Sequence, residues 1–424
     1  MIASRYNYYI KHGDLTIIFN GISERFIYVS NKNIDSFRNL IDNPDVNRDI
    51  HPYHIDQFHK NGFIVDSDYD ERISVNHKYS YKQFKNIYRI MLLPTYECNL
   101  RCWYCTQKHE SIHMSEDILK RVRLNISSAI SSGKYATIML DWFGGEPLLA
   151  YDEILALTSY TAQLCSKHNM TFICGITTNG TLLDSEKISK LRDVGITSYQ
   201  ITIDGIKSEH DSIKRLSNKS AFEKTLENIR LILPHTPCTL RFNYTHKNLK
   251  PQELITQVSE RIPENLRKNI RFSIHKVWQE DVCNINKSDV NHLFTLAKDN
   301  HLNPDMPSYD MCYADQQNFF CIFPNGKVGK CDNSDIDTVP GRILNDGRIE
   351  WPSTNGYDIP VAQQSDSECY FCKYLPICWG PCVPRRKTML KNGGHIKCFL
   401  DDREKAMKEN IINRCITLTG AIDN

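Results

Sequence analysis

The chain has 424 residues, of which 52 are basic, 50 are acidic and 16 are cysteines, and its formal net charge is +2. A chain of this length is expected to form two or three domains. Its balanced charge gives no basic field that would favour nucleic acid as a partner, and no apolar stretch approaches the roughly 18 residues of a membrane-spanning helix. The N-terminus lacks the apolar core of a signal peptide, so the many cysteines indicate a reducing, cytoplasmic location, where thiols more often bind metal than form disulfides.

Residues 1–85 alternate short apolar runs with turn residues. This pattern predicts strands at 6–10, 15–19 and 26–29, a helix ending near residue 43, a second helix at 52–59 and a strand at 63–65. The order of elements resembles the winged-helix leader-recognition module of peptide-modifying enzymes, in which a leader peptide adds as a strand to a sheet edge. A packing or dimerisation extension would give the same pattern. The polar residues 71–88 are predicted to be a linker.

Three cysteines follow an apolar strand predicted at residues 90–93. Cys98, Cys102 and Cys105 are separated by three and two residues, so they fit on one loop. Thiolates are the usual ligands of iron–sulfur clusters, and three of them leave one iron of a [4Fe–4S] cluster open for chemistry. A zinc knuckle or three reduced core cysteines would also satisfy this spacing.

This loop, with Tyr104 before its third cysteine, resembles the cluster loop of the radical S-adenosylmethionine (radical SAM) superfamily. The resemblance implies that the open iron chelates the amino and carboxylate groups of the methionyl part of S-adenosylmethionine. It further implies that an electron from the cluster cleaves this cofactor to methionine and a 5′-deoxyadenosyl radical, which abstracts hydrogen from a substrate.

Repeated strand–helix units between residues 89 and 280 predict an α/β fold with a parallel sheet, and six of them indicate a partial (β/α)6 barrel of the TIM type. In such barrels the site residues follow the C-terminal ends of the strands. After the first strand, the predicted strands are 137–142, 172–177, 199–203, 240–244 and 270–275. The predicted helices are 116–131, 153–167, 185–193, 221–233 and 252–261, and a bridging helix is predicted at 289–299.

Further stretches after these strands resemble the superfamily's cofactor motifs. The two glycines Gly144 and Gly145 allow close approach of the backbone to a ligand. The resemblance implies that this backbone holds the methionyl ammonium. It makes Arg215 the expected partner of the cofactor carboxylate, since a guanidinium fork suits a carboxylate. A surface ion pair is the alternative for Asp204 and Arg215. The cofactor-binding residues implied by the resemblance are Tyr104, Gly144, Gly145, Glu146, Pro147, Asn179, Thr202, Asp204 and Arg215.

Eight cysteines fall between residues 312 and 398, and their spacing is similar to that of the SPASM domain, an auxiliary-cluster extension of radical SAM enzymes. By this resemblance, one auxiliary [4Fe–4S] cluster is bound by Cys312, Cys321, Cys331 and Cys382. The other is bound by Cys369, Cys372, Cys378 and Cys398, which makes three clusters in total. Cys321 has a strand cysteine as its alternative, and a pair of zinc ribbons would also satisfy the spacing.

Other features of the sequence carry less chemistry. A two-residue turn at Asn325 and Gly326 predicts a hairpin that delivers Cys331 to a cluster. The histidine pairs His51/His54 and His109/His113 are predicted to be solvated. The remaining cysteines without partner spacing are predicted to be packing residues: Cys165, Cys174, Cys238, Cys283 and Cys415.

These resemblances together predict three domains: a winged-helix-like module at 1–85, the radical SAM barrel at 86–285, and a bridging helix with a SPASM domain at 286–424. The implied function is a maturase that installs a thioether or carbon–carbon crosslink in a ribosomally made precursor peptide, with flavodoxin or ferredoxin as electron donor and neither nucleic acid nor membrane as partner. An anaerobic sulfatase-maturing type of enzyme, forming formylglycine from Cys or Ser, is the alternative. For that enzyme Asp332, directly after Cys331, is the candidate base. An electron carrier with inert clusters is a third class.

Overall fold

The computed structural model describes residues 1–217, 219–280, 284–305, 309–351, 365–390 and 393–419. Cys283 lies outside these ranges. The chain divides into two compact units. The first unit contains Met1–Lys85, Met306–Gln317 and Asn355–Asn424, and the second contains Asn86–Asp305 and Asn318–Thr354. None of the helices in the described ranges combines the length and the apolar character needed to cross a membrane.

The helices and strands are as follows in chain order. The N-terminal elements are β1 (Ile2–Ala3), β2 (Asn7–His12), β3 (Leu15–Asn20), β4 (Phe26–Ser30), α1 (Ile34–Asp42), α2 (Pro44–Asn47), α3 (Pro52–Lys60), β5 (Ile64–Val65) and α4 (Glu71–Gln83). The central elements are β6 (Ile87–Leu92), α5 (Glu116–Ser131), β7 (Thr137–Trp142), α6 (Tyr151–Lys167), β8 (Thr171–Thr178), α7 (Ser185–Asp193), β9 (Ser198–Ile203), α8 (Lys207–Ile213), α9 (Ala221–Ile232), β10 (Cys238–Tyr244), α10 (Pro251–Arg261), α11 (Glu264–Arg267), β11 (Ile270–Lys276) and α12 (Lys287–Asp299). The C-terminal elements are β12 (Phe319–Ile322), β13 (Lys327–Gly329), β14 (Gly341–Ile343), β15 (Ile349–Glu350), α13 (Leu375–Cys378), α14 (Val383–Leu390) and α15 (Arg403–Thr419).

A parallel sheet forms the framework of the second unit. Its strands β6 to β11 lie side by side in sequence order, and each runs parallel to its neighbours. Alternate side chains of these strands, such as Ile138, Leu140 and Trp142 of β7, are buried in one hydrophobic core with residues of the connecting helices. The predicted α/β fold with a parallel barrel sheet is confirmed, and strands β7 to β11 begin and end within two residues of their predicted bounds.

The sheet continues beyond β6 through a C-terminal hairpin. Strand β12 pairs in parallel with β6, and β13, β14 and β15 follow antiparallel. The predicted hairpin is confirmed, but its turn lies one residue earlier than predicted. The Gly326 amide donates to the Phe323 carbonyl at 2.9 Å, which centres the turn on Pro324 and Asn325. Gly326 itself has φ +79°, as expected for a turn followed by a left-handed residue.

The first unit contains the three predicted N-terminal strands as one antiparallel sheet in the order β2-β3-β4. Strand β5 was also predicted from the sequence. It pairs with β1, a strand that the sequence did not predict. The linker predicted at residues 71–88 is wrong, because most of that segment forms helix α4. Asp70 caps this helix by accepting from the Arg72 amide at 3.0 Å, and the helix buries Val75 and Tyr79, four residues apart on one face.

The N-terminal sheet shares its core with C-terminal helices of the same unit. Tyr8 and Phe19 are buried in one cluster with Tyr374 of the C-terminal region and Met407 of α15. The Tyr8 and Tyr374 rings stack with their centroids 5.2 Å apart. The first unit therefore combines the segment predicted to be an N-terminal module with most of the cysteine-rich segment.

Candidate active site and cysteine cluster sites

The three cysteines of the first motif lie on the irregular loop after β6, and all three are partly buried. Burial raises the pKa of Cys98 to about 11 and that of Cys102 to about 12. Three thiols on one loop are the donor set that an iron–sulfur cluster with one open iron needs. His109, predicted to be solvated, is instead partly buried. Its Nε2 lies 3.0 Å from Cys105 Sγ, and its φ of +52° is unusual for a residue other than glycine.

The glycine motif after β7 packs directly against the segment that leads into this loop. The Gly145 amide donates to the Thr95 carbonyl at 3.0 Å, and the Glu146 amide donates to the Glu97 carbonyl at 2.8 Å. A Cβ at Gly144 would lie 2.5 Å from the Thr95 oxygen, and one at Gly145 would clash with the carbonyl oxygens of Tyr96 and Glu97. Only glycine allows the two segments to approach this closely.

Glu146, in the glycine motif after β7, contacts the residues that follow β8. Its side chain is fully buried. One carboxylate oxygen accepts from the Thr178 hydroxyl at 2.7 Å and the Leu148 amide at 3.0 Å, and the other accepts from the Asn179 amide at 2.8 Å. Burial raises the pKa of Glu146, although these hydrogen bonds favour its charged form. Pro147 follows and begins a short helical turn, Pro147–Ala150. Glu146 therefore fixes the ends of β7 and β8 relative to each other.

Asn179, after β8, contacts the cysteine loop. Its side-chain amide donates to Asn99 Oδ1 at 2.9 Å and lies 4.0 Å from Cys98 Sγ. Its oxygen accepts from the Thr181 amide at 2.9 Å, and Asn99 donates in turn to the Thr181 hydroxyl at 3.0 Å. The glycine motif after β7 and the residues after β8 thus both contact the loop that carries the cysteines.

Asp204, after β9, is completely buried and is the centre of a polar network. Its Oδ1 accepts from the Tyr104 hydroxyl at 2.6 Å and from Asn243 Nδ2 at 3.3 Å, while Lys214 Nζ lies 3.4 Å from Oδ2. Burial opposes ionisation, but the charge of Lys214, that of His210 and the two hydrogen bonds outweigh it and lower the pKa of Asp204. Tyr104 and Asp204, both predicted site residues, are therefore brought together, with a neutral tyrosine hydroxyl donating to a buried carboxylate.

Four of the predicted auxiliary-cluster ligands surround one cavity of the first unit. Cys369, Cys372, Cys378 and Cys398 all line it. Burial, reinforced by the neighbouring thiols, raises the pKa of Cys369 to about 12. Four thiols around one cavity are the donor set of a closed [4Fe–4S] cluster, so these residues fit the group.

The other four predicted ligands divide between the units: Cys312 and Cys382 belong to the first, and Cys321 and Cys331 to the second. Cys321 is fully buried, and burial, followed by the charges of Asp332 and Cys331, raises its pKa far above the ordinary thiol value. Cys331 Sγ lies 4.0 Å from Asp332 Oδ1. The assignment of these four cysteines to one cluster stays a prediction.

No three His, Cys, Asp or Glu side chains in the described ranges converge closely enough to hold a single metal ion. Ligands of a cluster differ in that each binds a separate iron atom. The predicted packing role is confirmed for Cys165, Cys174, Cys238 and Cys415, which are fully buried.

Residues 92–256 match the family model of the Radical SAM superfamily. This segment is a radical SAM domain. It contains the three-cysteine loop and every residue predicted to bind the cofactor. Membership implies a [4Fe–4S] cluster and S-adenosylmethionine, and the residues described above fit that pair.

Curated relatives of the radical SAM domain catalyse varied reactions, to judge from their names. GTP 3′,8-cyclase of Clostridium acetobutylicum is 31% identical over 155 residues, which are 35% of this chain and 44% of that protein. Fe-coproporphyrin III synthase of Methanosarcina barkeri is 27% identical over 135 residues, 32% of this chain and 31% of that protein. The chain thus spans less than half the length of these relatives.

Solved structures share the fold over much more of the chain. Native anSMEcpe with bound AdoMet and Cp18Cys peptide has a TM-score of 0.57 at 17% identity, over 79% of this chain and 98% of that one. Streptococcus suis SuiB bound to precursor peptide SuiA has a TM-score of 0.50 at 13% identity, over 94% and 99%. Identities this low establish similarity of fold alone.

Sequence reasoning missed one charged residue of the radical SAM domain. Lys214 is only 2% exposed, and its Nζ donates to both the carbonyl oxygen, at 2.8 Å, and the hydroxyl of Thr202. Arg215, the predicted partner of the cofactor carboxylate, is exposed and donates to the Ser212 carbonyl at 3.0 Å. The available signal was the adjacent basic pair just after α8, of which only one member faces inward.

Proposed function

We propose that this protein is a radical SAM peptide maturase that forms a thioether or carbon–carbon crosslink in a ribosomally made precursor peptide. The observation that carries the proposal is the convergence of two motifs on the cysteine loop, one through Gly145 and Glu146 and the other through Asn179. A cavity lined by four further cysteines supports auxiliary clusters of the SPASM type. The fold shared with two proteins solved with bound peptides supports a peptide substrate.

The residues of the radical SAM domain divide the work of binding. Cys98, Cys102 and Cys105 would hold the cluster, which with bound S-adenosylmethionine supplies the 5′-deoxyadenosyl radical for hydrogen abstraction. The backbone at Gly144 and Gly145 has no side chains to obstruct an ammonium group. Lys214 adds a buried positive charge at the end of β9, and Asp204 holds the Tyr104 hydroxyl beside the loop.

The N-terminal sheet is the proposed docking place of the leader peptide. Strand β4 ends the order β2-β3-β4, so among the described residues its outer edge pairs with no strand. An edge of this kind accepts an added strand through backbone hydrogen bonds. Removing residues 1–85 would expose the core that Tyr8 and Phe19 share with α15, so deletion is not a clean test of this role.

Anaerobic reconstitution tests the enzyme proposal. About twelve iron atoms per monomer are expected for three clusters on eleven thiolates. Replacing Cys98, Cys102 and Cys105 with alanine should remove about one third of the iron and all formation of 5′-deoxyadenosine. A triple variant that keeps its iron and cleaves the cofactor would reject the assignment. A parent protein with full clusters and no cleavage would favour an electron carrier.

Mass spectrometry of a precursor peptide encoded beside the gene separates the two enzyme reactions. A crosslink removes two hydrogen atoms, whereas formylglycine made from cysteine also exchanges the sulfur atom for an oxygen atom. Formylglycine made from serine removes only two hydrogen atoms, so fragment ions that show whether two residues are joined distinguish it from a crosslink. The formylglycine alternative is favoured by the position of Asp332 beside Cys331 and Cys321. A leaderless core peptide should react more slowly than the full precursor, because effective concentration is lost. Equal rates would reject the docking role of the N-terminal sheet and leave the radical chemistry standing.

A further inference from the structure

A buried ion pair in the first unit joins two segments that each carry a cysteine. Arg386 is 1% exposed and Asp315 is 5% exposed. The guanidinium contacts both carboxylate oxygens: Nη1 donates to Oδ2 at 3.1 Å and Nη2 donates to Oδ1. Tyr79 of α4 contributes its hydroxyl at 3.5 Å from the same Oδ1. Two donors and two acceptors in a fork fix both orientation and distance.

Each member of the pair lies one turn of backbone from a cysteine. The Asp315 amide donates to the Cys312 carbonyl at 3.0 Å, which closes the short helical turn Tyr313–Asp315. The Arg386 amide donates to the Cys382 carbonyl at 3.0 Å, in the first turn of α14. The ion pair therefore ties the turn that follows Cys312 to the turn that follows Cys382.

Stability alone does not account for a buried charge pair. Removing both charges from water costs several kcal/mol per ion in proteins, and replacing such a pair with apolar residues is often neutral or stabilising. In contrast, mutating a group that orients metal ligands typically lowers metal affinity by about 10–100-fold. The place of this pair, between two turns that carry cysteines, matches the second role.

The Arg386 guanidinium also has a buried donor, Nε, that no protein group accepts from in the described residues. Nη1 makes a further bond to the Pro381 carbonyl at 2.9 Å, so both terminal nitrogens, Nη1 and Nη2, are engaged by protein. A buried N–H without an acceptor is costly and rare. An acceptor supplied by a bound group would satisfy it, and hydrogen bonds to sulfur are one of the means by which proteins set cluster potentials.

We infer that Asp315 and Arg386 position Cys312 and Cys382 as neighbouring ligands of an auxiliary iron–sulfur cluster, and that Arg386 Nε donates to a sulfur atom of that site. This inference rests on the proposed function, since it requires auxiliary clusters. Both are positioning residues, because they act through the cysteines and the cluster rather than on a substrate.

The test compares reconstituted full-length variants under anaerobic conditions. The double variant Arg386→Met with Asp315→Leu removes both charges together, so no buried charge is left unpaired. The control is Lys78→Met, which removes the cation of another ion pair of the same unit, 2.8 Å from Glu24, whose carboxylate keeps Arg414. Iron and sulfide per monomer, Mössbauer spectra and circular dichroism are measured for each protein.

The double variant should lose about one third of the iron, because weakening of the site by 10–100-fold releases one cluster. It should keep the parental circular dichroism and still cleave S-adenosylmethionine. Lys78→Met should keep all its iron. Full iron in the double variant would overturn the inference. A parent protein with the iron of one cluster only would reject the proposed auxiliary clusters themselves.

Arg386→Lys covers the case in which the double variant fails to fold. This variant keeps the charge but loses the fork and the Nε donor. A tenfold change in the reduction equilibrium of the auxiliary cluster, about 59 mV for one electron, is expected in a potentiometric titration followed by electron paramagnetic resonance. A parental potential in Arg386→Lys would overturn the donor role.

Discussion

Replacing Lys214 with methionine tests the charge balance at the end of β9. Lys214 Nζ lies 3.4 Å from Asp204 Oδ2, and the two side chains are 2% and 0% exposed. Removing one partner of a buried pair leaves an uncompensated charge, which costs about 3–5 kcal/mol. Lys214→Met should therefore lower the free energy of unfolding of the second unit by that amount near pH 8.

The loss should depend on pH in a defined direction. In the parent protein the pKa of Asp204 is below its ordinary value. Its ionised form therefore stabilises the fold at every pH above the pKa that Asp204 has in the unfolded chain. Without Lys214, burial is the largest influence on the carboxyl group and raises its pKa. The folded variant then binds a proton that the unfolded chain has released, so its stability falls as pH rises. The difference from the parent should shrink as pH is lowered toward the ordinary aspartate pKa.

Anaerobic urea unfolding, followed by circular dichroism at two pH values, measures this effect. Arg215→Met is the matched control, because Arg215 is exposed and bonds only to the Ser212 carbonyl among the contacts described above. It should stay within about 0.5 kcal/mol of the parent. Adding Asp204→Asn to Lys214→Met should recover part of the loss. Parental stability of Lys214→Met at pH 8, or an equal loss in Arg215→Met, would refute the reasoning.

Three further changes address the cysteine loop and its surroundings. Gly145→Ala should force back the Tyr96 and Glu97 carbonyls at a cost of about 1–3 kcal/mol and reduce the iron held by the loop. The control is Gly133→Ala, which strains a left-handed residue (φ +65°) but meets no atom within 4 Å, so it should keep its iron. Equal iron in both would contradict the packing argument. His109→Phe removes the ring nitrogen Nε2 that lies 3.0 Å from Cys105 Sγ. A lower reduction potential of that cluster, as measured by electron paramagnetic resonance, is expected for the loss of a hydrogen bond to sulfur, and an unchanged potential would show that the contact has no electronic role. Asp332→Asn should keep 5′-deoxyadenosine formation and lose product, as expected for a general base, and equal product yields would leave Asp332 as a structural residue.

The sequence predicted the parallel sheet well because its strands are buried by helices and read as apolar runs between turn residues. Helix α4 was missed because only Val75 and Tyr79 of its apolar residues face inward, while Ile73 and Tyr81 are exposed, so the segment has no continuous apolar stripe. The pairing of β12 with β6 was also beyond reach. A hairpin is encoded locally, but the choice of the sheet edge that it joins depends on contacts between residues more than two hundred positions apart.

The candidate site was predictable where a motif is read from the backbone, as at Gly144 and Gly145, and less so where a side chain can turn either way. Lys214 and Arg215 are adjacent and both basic, so charge alone does not distinguish them. The choice is made by the end of α8 at Ile213, which leaves Lys214 pointing at Thr202 and Asp204. Asn99 carried no signal of its own, because its importance comes from the partner that the fold supplies.

Because the first unit is assembled from both ends of the chain, its N-terminal part is synthesised well before its C-terminal part. About 270 residues separate Lys85 from Asn355. At roughly 5–20 residues per second, translation needs about 15–50 s to supply the missing half. During that interval the apolar face around Tyr8, Ile17 and Phe19 lacks the C-terminal residues that cover it, while the second unit is being completed up to Thr354. The nascent N-terminal segment is therefore a natural client for holding chaperones, and the speed of translation becomes a determinant of yield.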